Sequence, residues 1–265
     1  MSKLSLVIVA KNEPYLERTI QDIKAKATGE IEILVDDRVG EGNDMRQKIN
    51  DLVSKATGEY IMKLDAHCLL AHGFDEQLIK DHEPNWVQVP RRKRLDAEKW
   101  EVIEDGRLPV DYESILFPQL VTPVGGVKGF IWATPWNDMT RLKSDILIDD
   151  TPHFQGSCWF MTKEWFNKCG LMSLDYGGFA QEPEEIIFTT IKNHGRVKVN
   201  KNTWYAHLHK DEKAREWFKL DSEDMAKGYN HSLKTWVGDK DFFTNFINMF
   251  PPMPGWPEKW EKILW

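Results

Sequence analysis

A carboxylate and an imidazole stand two residues apart in the segment Asp65-Ala66-His67. In an extended chain, residues i and i+2 point to the same side, so both side chains can reach one divalent cation. A hard carboxylate oxygen and an imidazole nitrogen suit Mn²⁺ or Mg²⁺ bound together with phosphate oxygens. The triplet alone is a weak signal, because an aspartate in a turn beside a packed histidine gives the same pattern.

A third ligand for such an ion would have to come from another part of the chain. His207 and His209 flank Leu208 after the predicted strand Thr203–Ala206, and either imidazole could complete the set. An ion held by so few protein groups fills its remaining positions with substrate phosphate oxygens. The pattern therefore predicts a divalent-cation site that also binds a phosphorylated ligand.

The segments that would position these groups alternate between strand and helix. Near-continuous apolar runs predict buried strands, and apolar residues at helical spacing predict helices that end at Gly29 and Gly58. The predicted order is strand Leu4–Ala10, helix Pro14–Lys26, strand Ile31–Val35, the polar segment Gly40–Asn43, helix Asp44–Ala56 and strand Tyr60–Leu64. This order predicts an α/β fold with a mostly parallel central sheet and right-handed crossovers.

Open α/β sheets bind ligands beyond the carboxyl ends of their parallel strands. Here those positions hold Lys11-Asn12-Glu13, Asp36-Asp37 and the Asp65–His67 triplet. Asp37 could accept hydrogen bonds from a ribose or a base N–H, and Arg46 on the second helix could face the crevice as a diphosphate partner. A turn aspartate and a surface arginine are the structural alternatives for these two residues.

The rest of the chain has a less regular middle, over 84–155, and an ordered second half. The basic run Arg91–Arg94 is expected to be a solvated edge, because acidic residues follow it at once; a phosphate or acceptor contact is the alternative. The predicted elements of the second half are strand Cys158–Thr162, helix Lys163–Lys168, helix Glu184–Asn193 and short strands Val197–Val199 and Thr203–Ala206.

The chain contains 12 tryptophans, of which four fall in the last 30 residues: Trp236, Trp256, Trp260 and Trp265. Packing of the core and the tail is their expected role. A platform for a flat ligand, such as a sugar or a base, is the alternative.

Composition excludes several classes of protein. A chain of 265 residues with 41% hydrophobic and 29% charged residues is globular rather than disordered, and a net charge of −7 disfavours a surface devoted to nucleic acid or anionic membranes. Three cysteines without a CxxC pair indicate a reducing compartment. Since the apolar runs are too short for a signal peptide or a membrane span, we expect a soluble, cytoplasmic protein without a membrane partner.

The order of these motifs resembles that of GT-A-fold glycosyltransferases of the family-2 type, and most of all the polypeptide N-acetylgalactosaminyltransferases. LSLVIVAKNE and ILVDD are similar to the nucleotide-binding strands of that family, and GEGNDMRQKIN followed by GEYIMKLDAHC is similar to its helix and DxH metal-binding strand. The likeness continues through GFIW (Gly129–Trp132), TPHFQGSCWFMTKEWFNKCG, FAQEPEEIIF (Phe179–Phe188) and AHLHK.

The resemblance implies a Rossmann-like nucleotide-sugar-binding domain over 1–210 and a Trp-rich extension of helix and loop over 211–265 that packs on it. It also implies Mn²⁺ or Mg²⁺ as the cofactor and a UDP-sugar as the donor. The implied site residues are Asp65, His67 and His207 as metal ligands; Ala10, Asn12, Asp37, Arg46, Asp65, Gly156 and Ser157 as donor contacts; Trp132 on the acceptor side; and Glu182 and Glu185 as catalytic carboxylates.

Departures from the family pattern bear on the mechanism. Phe179-Ala180-Gln181 stands where the family has Trp-Gly-Gly, and Pro183 stands where it has Asn or, in inverting members, a catalytic Asp. The missing Asp favours retention of the anomeric configuration over inversion, although Glu182 or Glu184 could act as a base. The expected activity is sugar transfer from a UDP-sugar to an acceptor hydroxyl; the alternative is a catalytically silent nucleotide- or sugar-binding module with the same fold.

The acceptor hydroxyl has two specific candidate sources, and glycan, lipid-linked and small-molecule acceptors stay open. The family likeness suggests a protein serine or threonine. A hydroxymethylated base in DNA is the other candidate, as for a phage-encoded enzyme acting in a host cytoplasm. Arg91–Arg94 and the Trp-rich tail would then contact the DNA backbone and a flipped base.

Overall fold

The computed structural model describes residues 3–38, 44–120, 123, 126–129, 131–209 and 222–265. The predicted polar segment Gly40–Asn43, Phe130 of the GFIW stretch and residues 211–221 of the predicted extension lie outside the described residues.

A mixed sheet of nine strands forms the centre of the described structure. Its strands are β1 (Leu4–Val9), β2 (Ile31–Asp36), β3 (Tyr60–Leu64), β4 (Cys68–Leu70), β5 (Trp86–Asp96), β6 (Glu101–Val102), β9 (Ile148–Asp150), β10 (Cys158–Thr162) and β11 (Arg196–His207). Seven strands follow the order β2-β1-β3-β10-β5-β11-β4, while β6 pairs with β5 and β9 with β11. Along that path only β10 and β4 run antiparallel to the others, so the predicted α/β fold with a mostly parallel sheet is confirmed.

Helices cover the sheet, and a small hairpin of β7 (Glu113–Ile115) and β8 (Ala133–Pro135) lies beside it. The helices are α1 (Leu16–Lys26), α2 (Met45–Lys55), α3 (Phe74–Lys80), α4 (Asn137–Leu142), α5 (Lys163–Cys169), α6 (Glu182–Lys192), α7 (Ser222–Ser232), α8 (Lys240–Ile247) and α9 (Trp260–Leu264). The structure thus has the predicted helices, with small differences at their ends. None of the helices in the described ranges combines the length and apolar character needed to cross a lipid bilayer.

The sheet is buried on both faces, which explains its near-continuous apolar strands. In β1, Leu6 and Ile8 join one hydrophobic cluster, whereas Val7 joins the cluster on the opposite face. Both clusters continue across β3 and β10. Because the core encloses the strands completely, their ends can hold charged groups in fixed positions.

The basic run Arg91–Arg94 lies within β5, so the expectation of a solvated edge is wrong. Carboxylates from the segment that follows β6 neutralise it, which also leaves no unpaired guanidinium for a phosphate. Three of the four cations have partners within 3.2 Å: Arg91 with Asp111, Arg92 with Glu113, and Arg94 with Asp105.

β11 is one long strand, where two short strands were predicted. Its register against β5 changes between Asn200, which lies opposite Pro90, and Trp204, which lies opposite Arg91. Three residues therefore bulge out of the pairing. The second half of the strand ends at His207.

The C-terminal residues 222–265 pack against the sheet domain. Trp236 and Trp260 are buried in the same hydrophobic cluster as Phe188 of α6, and Trp256 donates its indole N–H to the carbonyl oxygen of Ile115 at 2.6 Å. Trp265 is 38% exposed. Packing, rather than a flat-ligand platform, is the role that these contacts give to the tryptophans of the tail.

Candidate functional site

A cleft of about 480 Å³ opens at the carboxyl ends of β1, β3 and β11. Residues that follow these strands line it, among them Lys11, Asp65 and His67, together with His207 at the end of β11. The first turn of α6 forms part of its wall. The antiparallel strand β10 begins at the same edge, and the carbonyl oxygen of Ser157 just before it accepts the Asp65 N–H at 2.9 Å.

Asp65, His67 and His207 meet in this cleft, with one potential ligand atom from each within 4.8 Å of the others. The His67 and His207 Nε2 atoms are 3.0 Å apart, and Asp65 Oδ2 lies 3.3 Å from the His207 Nε2 and 3.9 Å from the His67 Nε2. The ring of His209 packs edge-on against His207 and is not part of this set.

The protonation of this cluster suits a divalent cation. Burial lowers the pKa of His207 to about 3, despite its hydrogen bond to Asp65, so its imidazole is neutral at physiological pH. Burial alone would disfavour the Asp65 carboxylate, but Lys63 and the two imidazoles outweigh it and hold the pKa of Asp65 below its ordinary range. One carboxylate and two imidazoles fit Mn²⁺.

Glu13 orients His67 from the turn after β1. Its Oε2 lies 3.1 Å from the His67 Nδ1, so the Nδ1–H can donate to the carboxylate while the Nε2 lone pair faces the other ligands. Sequence reasoning placed Glu13 at the ligand-binding rim without giving it this role. Only the fold reveals that the ends of β1 and β3 are adjacent.

Glu182 begins α6 and lines the cleft as a buried carboxylate. Its Oε1 accepts the indole N–H of Trp159 at 2.7 Å, and its Oε2 lies 3.6 Å from the Lys63 Nζ. Burial raises the pKa of Glu182. Gly156 is in close contact, since a Cβ added there would lie 2.7 Å from the Glu182 Oε2.

Arg46 and Glu185 do not take the positions predicted for a diphosphate partner and a catalytic carboxylate. The two side chains form a buried ion pair away from the cleft lining. Arg46 also donates to the carbonyl oxygen of Ala180 at 2.6 Å, and Glu185 accepts the Ser173 N–H at 2.8 Å. These contacts give both residues a structural role, which corrects the prediction.

The remaining predicted residues divide between the cleft and its surroundings. Ala10, Gly156, Ser157 and Trp132 line the cleft, with Trp132 48% exposed.

Asn12 has a left-handed φ of 50° in the turn after β1 and lies outside the lining, although its neighbours Lys11 and Glu13 line the cleft. Asp37 is exposed and also lies outside the lining. The buried acidic side chain at the end of β2 is instead that of Asp36. Its Oδ1 accepts a hydrogen bond from the Arg38 Nε at 2.9 Å.

His153 is a buried cleft residue that sequence reasoning missed. Its Nδ1 is 2.9 Å from Glu113 Oε2 and its Nε2 is 3.1 Å from Glu184 Oε1. Burial alone would lower the pKa of His153, but these two hydrogen bonds outweigh it and raise the pKa to about 9. An imidazolium therefore joins the two carboxylates. Glu113 and Glu184 are far from His153 in the sequence, so no local pattern indicates that the three side chains interact.

Two solved structures resemble the chain in fold. GalNAc-T7, solved with UDP, GalNAc and Mn²⁺, has a TM-score of 0.69 at 17% identity over 92% of this chain and 50% of that one. S. aureus TarS 1–349 in complex with UDP-GlcNAc has a TM-score of 0.52 at 12% identity over 93% of this chain and 72% of that one. A scan against protein-family models and a search of curated proteins find no match.

These similarities bear on the fold. The chain has the GT-A glycosyltransferase fold, as its motifs predicted. It spans half the length of the GalNAc-T7 chain.

Proposed function

We propose that this protein is a divalent-cation-dependent glycosyltransferase that moves a sugar from a UDP-sugar to an acceptor hydroxyl. The convergence of Asp65, His67 and His207 in a cleft of about 480 Å³ carries this proposal. The position of the cleft at the carboxyl ends of parallel strands supports it, because nucleotides bind there in α/β folds. The ligands present in the GalNAc-T7 and TarS structures support the choice of UDP.

The chemistry requires that negative charge be stabilised on the departing diphosphate. Asp65, His67 and His207 would hold Mn²⁺ or Mg²⁺, which as a Lewis acid supplies this stabilisation when bound. Glu182, held by Trp159 and close to Lys63, would orient the transferred sugar or the attacking hydroxyl. The buried environment strengthens these electrostatic effects.

We further propose retention of the anomeric configuration. Pro183 leaves no carboxylate at the position of the inverting base. The Oε1 of the neighbouring Glu184 lies 3.1 Å from the His153 Nε2 in a buried hydrogen bond, so this oxygen is already engaged by the imidazolium. The stereochemistry of the product, read by NMR from the anomeric coupling constant, tests this part; an inverted product would contradict it.

For the acceptor, we propose an uncharged hydroxyl compound, such as a protein serine or threonine, rather than DNA. Arg91, Arg92 and Arg94 have carboxylate partners, and the cleft itself contains Glu113 and Glu184. Acceptor binding should therefore change little with salt. A steep loss of binding as salt rises would instead favour a DNA acceptor.

The test of the activity is a panel of UDP-sugars with Mn²⁺, in which released UDP is measured. His67→Ala should abolish turnover, whereas His209→Ala is the matched control, because His209 is outside the ligand set. A parent protein that binds UDP with Mn²⁺ but turns over no donor would indicate the silent binding module. A parent that binds neither would refute the proposal.

We propose that the transferase domain covers 1–210 and that 211–265 extends it. The burial of Trp236 and Trp260 in the core cluster supports this division, because the extension then shares the core of the domain.

A further inference from the structure

Lys63 is a buried cation beside the candidate metal ligands. It lies on β3 two residues before Asp65, so both side chains point to the same side, and it is only 2% exposed. Its Nζ is 2.7 Å from Asp65 Oδ1, 2.5 Å from the Gly156 carbonyl oxygen and 3.6 Å from Glu182 Oε2. Oxygens from the end of β3, the loop before β10 and the first turn of α6 therefore surround one ammonium group.

In this arrangement the two carboxylate oxygens of Asp65 face different partners. Oδ1 accepts a hydrogen bond from Lys63, whereas Oδ2 is the oxygen close to His207 and His67. A cation bound by the two imidazoles would therefore contact Asp65 through Oδ2. The ammonium on Oδ1 would compete with a cation that bound both oxygens.

We propose that Lys63 is a positioning residue that restricts Asp65 to one-oxygen coordination of the divalent cation and weakens the binding of that cation by charge repulsion. Protein ligation through three atoms leaves other coordination positions for diphosphate oxygens and water. A second bound oxygen from Asp65 would occupy one of these positions.

The same ammonium also connects the metal ligand to Glu182. Because Lys63 contacts Asp65 and lies close to Glu182, one group fixes both carboxylates relative to each other. Loss of Lys63 should therefore lower turnover even though the cation binds more tightly. This turnover effect rests on the proposed function, whereas the effect on cation binding does not.

The experiment measures Mn²⁺ binding by electron paramagnetic resonance in the absence of nucleotide. Lys63→Met removes the charge, and Lys63→Gln removes it while keeping a hydrogen-bond donor. Both variants should bind Mn²⁺ about tenfold more tightly than the parent, since a positive charge near the ion is gone. With an active donor, kcat should fall while Mn²⁺ affinity rises, a combination that loss of structure would not produce.

Lys48→Met is the matched control, because Lys48 is another buried lysine of the cleft but pairs with Asp44. Its Mn²⁺ affinity should stay within about twofold of the parent. Unchanged or weaker Mn²⁺ binding in a folded Lys63 variant would overturn the proposal.

A crystal structure of the parent with Mn²⁺ shows how many oxygens of Asp65 bind the cation, and it tests the proposal even if the Lys63 variants do not fold. Binding through Oδ2 alone, with Lys63 on Oδ1, supports the proposal, and binding through both oxygens overturns it. If the parent binds Mn²⁺ but transfers no sugar, the proposed function fails while the proposal on Lys63 stands or falls by its own measurement.

Discussion

His67 and His207 place their Nε2 atoms 3.0 Å apart although 140 positions separate them in the chain. One histidine follows β3 and the other ends β11, so the sheet brings them together. Two imidazole nitrogens at this distance either share a proton or direct their lone pairs at a common cation. The neighbouring Asp65 carboxylate favours the second arrangement, because it supplies the negative charge that a cation needs.

Glu13→Gln should weaken Mn²⁺ binding about tenfold while leaving the fold intact. The carboxylate fixes the orientation of His67 through its Nδ1, and groups that orient a metal ligand contribute on this scale. Electron paramagnetic resonance of free Mn²⁺ measures the change. Glu17→Gln, at an exposed site on α1, is the control, and equal affinities for the two variants would contradict the role given to Glu13.

Gly156→Ala should lower turnover about a hundredfold with little effect on UDP binding. The new methyl group would lie 2.7 Å from Glu182 Oε2 and 3.0 Å from its Cδ, so the carboxylate must move. Displacements on the order of 1 Å at a reacting centre cost rates of this size. Steady-state kinetics and calorimetric UDP titration separate the two effects. Normal kcat would show that the position of Glu182 does not matter.

The strands next to the site could be predicted because their apolar runs are continuous. The predicted bounds of β3 and β10 match the structure, since both strands are buried on both faces. β5 was missed because its second half reads as charged loop. Its partners Asp111 and Glu113 come from a distant segment, and their ability to neutralise a buried strand is a property of the fold alone.

The part of the site that could be predicted is the pair of metal ligands that are close together in the sequence. Asp65 and His67 stand two residues apart, so the pattern is visible in the chain itself. Arg46 and Glu185 have the residue types of a binding site, but only the folded structure reveals that they neutralise each other. His153 was missed for the converse reason, because its partners are scattered along the sequence. Lys63 was missed because two of its three partners, Gly156 and Glu182, are far away in the chain.

Arg46→Met should destabilise the protein by about 3–5 kcal/mol, because it leaves Glu185 buried without its cation. Arg46→Met combined with Glu185→Leu should recover most of the loss, since both charges are then absent. Urea denaturation measures both effects.

Arg38→Met is the matched control for this prediction. Arg38 also pairs with a carboxylate, that of Asp36, but its side chain is 67% exposed, so the loss of stability should be clearly smaller than for Arg46→Met. If Arg46→Met costs no more than Arg38→Met, the ion pair has no structural role.

The free energy of unfolding should fall as pH rises from about 6.5 to 9, because in that range the unfolded chain has lost the His153 proton while the folded protein still holds it. The pKa of His153 is about 9 in the folded protein and near 6.5 in an unfolded chain, so folding binds a proton. The stabilisation is complete below pH 6.5 and lost as pH passes 9, up to about 3 kcal/mol.

Urea denaturation across this range checks the prediction for His153. His153→Gln should flatten the dependence on pH, whereas His72→Gln, at an exposed position, should leave it unchanged. A parent protein whose stability is constant between pH 6.5 and 9 would mean that His153 does not carry the charge.

The bulge in β11 has an implication for how this protein could diverge. Side chains alternate along a strand, so the number of inserted residues between Asn200 and Trp204 decides which way the later half of β11 faces. Deleting a single codon there would rotate His207 out of the cleft without altering any ligand. Gene copies that differ only by such a deletion would keep the sheet and its hydrophobic contacts upstream but lose the third candidate ligand, so a single mutational step would separate this fold from its proposed cation site.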